Sequence, residues 1–228
     1  MKKVILVALV ILGLGFGLLL LHSSINGYIA DPAFFYSYAA PSPDNKYVFV
    51  MLGTEPHEPS DSQWRDERME KSHRLHAKFP ASGLYLNDGS TTPLWVVDGY
   101  AREAFVASDG AHLVMPAPWP HTPSDEALTF YENGKVIRRY GVNDLVDFTW
   151  FLPGGHQHFD WDKSISLDDQ KRILLVTTQH YDRYVFDVAA GEIISSRRPS
   201  RVLITGLTLL LVYAIVKAVR SRFKSTRI

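Results

Sequence analysis

Across 228 residues the chain carries 24 basic and 24 acidic side chains and no cysteine. Disulfide staples, cysteine-ligated zinc and thiol catalysis are therefore excluded. The neutral balance averages unlike zones: every Asp and Glu lies between Asp31 and Glu192, while eight Lys and Arg lie outside residues 22–200, so the middle is net −8 and the two ends together +8. An acidic middle argues against nucleic-acid binding, which needs clustered cations to displace counterions from phosphates.

After the short basic segment 1–3, residues 4–21 form an unbroken run of 18 without a charge. As a helix it spans about 27 Å, close to the hydrocarbon core of a bilayer. The competing reading is a cleaved secretory signal. Against it stand the length of the run, which exceeds the usual h-region of roughly 7 to 15 residues, and the lack of a small-x-small cleavage site before Ala30. Gly13 and Gly17 form a Gly-x-x-x-Gly pair suited to close helix approach or self-association, although glycine is common in membrane helices.

Residues 22–200 read as an extracytoplasmic domain of β class. β-Branched and aromatic residues are punctuated by Gly, Pro, Asp and Asn, the pattern of short antiparallel strands. Three turns recur: Ser42-Pro43-Asp44-Asn45-Lys46, Ser108-Asp109-Gly110-Ala111-His112 and Ser166-Leu167-Asp168-Asp169-Gln170-Lys171. Each precedes an apolar strand, over 47–51, 113–115 and 173–176. A hairpin follows each time, pairing 84–86 with 94–97, 129–131 with 136–137, and 184–186 with 193–194. Asn133-Gly134 and Asp88-Gly89 suit hairpin turns that require positive φ. Ser42 and Ser108 are 66 residues apart, or 40 without the charged insert 55–80, and Ser108 and Ser166 are 58 apart. A unit near 40 to 50 residues is that of a propeller blade.

On these motifs the chain resembles the WD40-like and YVTN-like β-propeller proteins, whose blades carry a Ser-Pro-Asp-Gly-Lys-like turn before an apolar strand and end in an Asp-x-x-Thr-Gly-like hairpin. The matching segments are Ser42 to Met51 and Tyr184 to Glu192. The resemblance implies about three four-stranded units in an antiparallel meander. Gly-His and Trp-Asp blade signatures are lacking, and closed propellers need about four blades or more. An open arc, a small closed propeller, a sandwich and an assembly completed by a second chain all remain open.

In the insert, Gln63 to Lys78 suits a helix with Ser60 as N-cap and with Glu67–Lys71 and Glu70–Arg74 pairs at i,i+4. Its sparse apolar positions, Trp64 among them, suggest a solvated lid resting lightly on the sheet. Glu70, His73 and His76 recur every three residues, a spacing that spreads them about 120° around the helix and does not suit one metal ion. The proline-rich loop Met115 to Pro123, with Trp119 between Pro118 and Pro120, reads as a stiff exposed segment suited to recognition. Those three residues, with Trp64, are the candidate binding residues.

The densest ligand-type cluster is Gly154 to Asp162. If extended, it places His156, His158 and Asp160 on one face, a donor set suited to zinc or another divalent metal. A polar strand face or loop explains the same composition. No nucleophile elbow, His-Glu-x-x-His, phosphate loop or dinucleotide fingerprint is present.

A second apolar run, 202–219, is followed by the basic tail 220–228, and Lys217 can extend its ammonium to the interface. Lys2, Lys3 and the tail place both ends in the cytoplasm by the positive-inside rule, in a protein of the bacterial inner-membrane type. Arg197, Arg198 and Arg201 form a basic cluster on the outer flank of the second span, where the rule expects none. The expected function is a membrane-anchored module binding a protein partner, with the lipid bilayer and self-association as further contacts. The alternative is a membrane-anchored metal-dependent hydrolase using His156, His158 and Asp160.

Overall fold

The computed structural model describes residues 35–54, 67–149, 152–153, 158 and 160–225. It is built from three four-stranded antiparallel meanders in chain order. The first sheet comprises β1 (Tyr38–Pro41), β2 (Tyr47–Met51), β3 (Gly83–Leu86) and β4 (Trp95–Val96). The second comprises β5 (Phe105–Val106), β6 (His112–Pro116), β7 (Glu126–Glu132) and β8 (Lys135–Gly141). The third comprises β9 (Asp162–Asp168), β10 (Ile173–Thr178), β11 (Arg183–Asp187) and β12 (Ile193–Arg197). Helix α1 (Glu67–Lys78) lies between β2 and β3, a single turn α2 (Val142–Leu145) follows β8, and α3 (Pro199–Ser225) follows β12.

Burial shows how the sheets stack. β6 is buried at every position and β7 at its five central ones, so the second sheet is covered on both faces. β10 alternates buried residues with exposed or half-buried ones, as a strand covered on one face does. Between the first and second sheets lie Phe49, Met51, Leu84, Val106, Leu113, Met115 and Tyr131. Between the second and third lie Val114, Leu128, Phe130, Trp161, Leu174, Val176 and Phe186. Neither cluster joins the first sheet to the third, so the three sheets stand in a row and do not close.

The repeated turns hold this row together. Within the first, Ser42 Oγ donates to Asp44 Oδ1 at 2.7 Å and accepts the Tyr47 amide at 3.1 Å. Between turns, the Asp44 amide donates to Ser108 Oγ at 3.3 Å and the Ser108 amide to Asp169 Oδ1 at 2.9 Å. Arg172 donates to Asp109 Oδ2 at 2.6 Å, and the same carboxylate is 2.7 Å from His112 Nδ1. Burial acts to raise the Asp109 pKa, but the Ala111 amide and His112 hold it below the usual range. Gly110, at φ +71, sits against the Tyr47 ring, where a Cβ would fall 2.5 Å from a ring carbon. The position therefore needs glycine for both conformation and space.

α1 ends at Lys78 as expected; the expected N-terminal part, with Ser60, Gln63 and Trp64, lies outside the described residues. Of the two expected ion pairs the structure shows Glu70–Arg74, at 3.6 Å. The helix is fastened rather than resting lightly. Leu75 and Phe79 pack on Val50 and Tyr85 over the outer face of the first sheet. The fully buried Ser72 accepts the Ser37 amide at 3.0 Å and lies 2.9 Å from the Ser37 hydroxyl, while His76 Nε2 lies 3.0 Å from the Gly53 carbonyl oxygen. Small hydroxyls carry no hydrophobic signal, so the sequence pattern understates this docking.

α3 is 27 residues long, about 40 Å. Its window Pro199–Lys217 has a mean hydropathy of 1.8, and none of that window is buried by the rest of the chain. It is the one helix among the described residues long and apolar enough to cross a membrane. It begins three residues before the expected span. The other expected span, residues 4–21, lies outside the described residues.

Candidate functional site

The strand directions define two ends of the row. The repeated turns and the hairpin turns of all three sheets occupy one end. The chain enters β1 and leaves β12 at the other, which also carries the β2–β3 connection, the loop 117–125 and the segment 142–149. Because each meander has an even number of strands, it returns the chain to the end where it began. The described domain is therefore entered and left on one side, and this tether end, from which α3 departs, gathers the unusual chemistry.

The start of α3 is clasped to the domain. Pro199, with no N–H, opens the helix, and Ser200 donates its amide and hydroxyl to the fully buried Asp182 at 3.1 and 2.5 Å. Asp147 pairs with Arg198 at 3.3 Å and with Arg201 at 2.8 Å. The Arg198 and Asp147 side chains are only 19% and 16% exposed. Arg198 lies over the Tyr184 ring, whose hydroxyl donates to the Leu145 carbonyl at 2.7 Å and whose pKa burial pushes up to about 12. Two of the three arginines that sit awkwardly for the positive-inside rule are thus neutralised by the domain. The sequence holds the signal, an unexplained cation cluster at a helix start, but not the acid 51 and 54 residues away that answers it.

Beside the point where the chain enters, Trp119 meets Phe35 edge-on at 5.0 Å, Phe35 meets Tyr100 edge-on at 4.8 Å, and the Tyr100 and Trp119 rings stack at 6.4 Å. The expectation of an exposed proline-rich segment is corrected here: Trp119 and Pro118 are half-buried and Pro120 is buried. Asp125 ties down the end of the loop by accepting the His121 and Thr122 amides at 2.7 and 2.9 Å and the Thr122 hydroxyl at 2.6 Å. The Thr122 hydroxyl and amide hold this carboxylate below its usual pKa range.

Next along the inner edge are Tyr38, Glu103 and Asp162. Burial raises all three pKa values, aided at Glu103 by the Asp162 charge and at Asp162 by Asp160. The buried Tyr38 hydroxyl has no hydrogen-bond partner among the described residues. Burial thus makes the ionised forms of both carboxylates costly. Because the folded pKa of Asp162 lies above its unfolded value, its contribution to stability is fully present at low pH and is lost as the pH rises through the folded pKa. Asp162→Asn is expected to raise the melting temperature at pH 7 and to reduce the stability gained as the pH is lowered through the folded pKa of Asp162. An unchanged melting temperature and pH profile would contradict this account of the edge.

Of the candidate metal ligands, His156 lies outside the described residues. His158 and Asp160 are in irregular backbone before β9, with the Asp160 amide bonded to the Pro153 carbonyl at 2.8 Å, so the alternation that would align their side chains does not apply. Among the described residues no group of three His, Cys, Asp or Glu is placed to hold a metal ion. Trp161, at the end of this segment, is core at 1% exposure. No protein-family model matches the chain, and no curated protein matches it closely.

Proposed function

We propose that residues 35–200 are an extracytoplasmic interaction module, a three-blade segment of WD40-like or YVTN-like type, tethered at one end to the membrane by α3 and binding a protein partner through its third sheet. The basic tail supports a cytoplasmic C-terminus. The carrying observation is an asymmetry between the first sheet and the third. α1 covers the outer face of the first sheet, whereas among the described residues no element covers the outer face of the third. There Leu175 is 41% exposed, and all five residues of the edge strand β12 are exposed. An unpaired edge beside a mixed face that carries Ile173, Leu175 and Val185 is a template for an added strand.

A photo-crosslinking residue at Ile194, which is 58% exposed, is expected to give a discrete protein adduct in native membranes. The same group at Thr92, exposed near the hairpin turn of the first sheet, is expected to give none. No adduct at Ile194, or the same products from both positions, would overturn the proposal.

A further inference from the structure

A second site lies at the opposite end of the row, between α1 and the first sheet. A cavity of about 290 Å³ opens there, near the lower limit of the roughly 300 to 1,000 Å³ of small-molecule sites. Its floor is apolar, from Val48 and Leu86 of the sheet and Leu75 and Phe79 of the α1 side. Its rim is cationic. Lys71, Arg74 and Lys78 are spaced by three and four residues, which places them on one flank of the helix.

Among the described residues no acidic side chain lines the cavity, in a domain that is net −8. The closest acid along the lining turn, Asp88, accepts the Ser90 amide at 2.9 Å. Arg74 meets Glu70 at 3.6 Å with both side chains about two-thirds exposed, a pairing that holds it weakly. Lys78 Nζ stands 5.1 Å from the centre of the Phe79 ring, joining charge to the apolar floor.

We infer that this cavity binds a small soluble amphiphile with an anionic head, carboxylate or phosphate monoester, on a short apolar body. The Lys71–Arg74–Lys78 flank takes the head and Leu75, Phe79, Val48 and Leu86 take the body. A soluble ligand fits rather than a bilayer lipid, because the cavity reaches Asn87, Gly89 and Ser90 in the turn opposite the start of α3. The inference does not depend on the partner surface of the third sheet.

The test is calorimetric titration of the full chain in phosphatidylcholine nanodiscs with hexyl phosphate, against hexanol and inorganic phosphate. Hexyl phosphate is expected to bind at least tenfold more tightly than either. Lys71→Glu with Lys78→Glu is expected to weaken it at least tenfold at an unchanged melting temperature, and the milder Lys71→Gln with Lys78→Gln severalfold. Equal binding of hexanol would reduce the site to an apolar patch, and equal binding of phosphate to unspecific ion pairing. Unchanged affinity in both charge variants, or no binding of hexyl phosphate at millimolar concentration, would also overturn the inference.

Discussion

Asp147→Ala is expected to cost about 2 to 3 kcal/mol of domain stability, because it strands Arg198 in a largely buried position and removes the partner of Arg201 together. Arg198 carries most of the effect. Its Nε already lacks a partner among the described residues, and its hydrogen bond to the Asp144 carbonyl is long at 3.4 Å. The exposed Arg201 contact, with its arginine 60% exposed, contributes less because solvent screens it. A double variant, Asp147→Ala with Arg198→Met, is expected to recover much of the loss, since the penalty comes from an uncompensated charge rather than from the missing pair. Denaturant unfolding of the detergent-solubilised protein measures both. A loss below about 0.5 kcal/mol in the single variant, or no recovery in the double one, would show that the clasp is an exposed surface pair.

Trp161→Ala is expected to cost about 3 to 5 kcal/mol. Trp161 is the largest of the fully buried side chains and belongs to the cluster joining the second and third sheets. Its carbonyl also accepts the Gln179 amide at 3.0 Å, tying the start of β9 to the β10–β11 loop. A row of sheets gives each one few neighbours, so an inter-sheet cavity has little surrounding structure to collapse into it. The third sheet is expected to lose protection from hydrogen exchange before the first. Uniform loss across all three sheets would contradict a core divided into separate inter-sheet layers.

The repeat was legible because turn chemistry is local. The turn carboxylates Asp44, Asp109 and Asp168 accept amides two or three residues on, from Lys46, Ala111 and Lys171, so the pattern survives in the sequence at 42–46, 108–112 and 166–171. The bounds of the expected central strands and hairpins fall within four residues of the observed ones. The first strand of each unit was not located. β5 is two residues long, and β9, Asp-Lys-Ser-Ile-Ser-Leu-Asp, presents only Ile165 and Leu167 to the core.

The tether end was less legible because its bonds are long-range. Asp182 and Ser200 are 18 residues apart, Asp147 and Arg201 54, and Phe35 and Trp119 further still. Polar docking through Ser37 and Ser72 leaves no periodic trace either. The proline-rich loop misled for a related reason. Prolines without N–H groups need no hydrogen-bond partners, so they suit an exposed segment and a buried one equally well.

The central claim is that the β domain and the C-terminal tail lie on opposite sides of a membrane crossed by α3. Because the chain has no cysteine, single cysteines report position without background. Asn133→Cys lies in the β7–β8 hairpin turn, far from the tether, and Ser225→Cys at the far end of α3. A membrane-impermeant maleimide is expected to label the first in intact cells and the second only after permeabilisation. Labelling of both in intact cells, or of Ser225→Cys alone, would contradict the account.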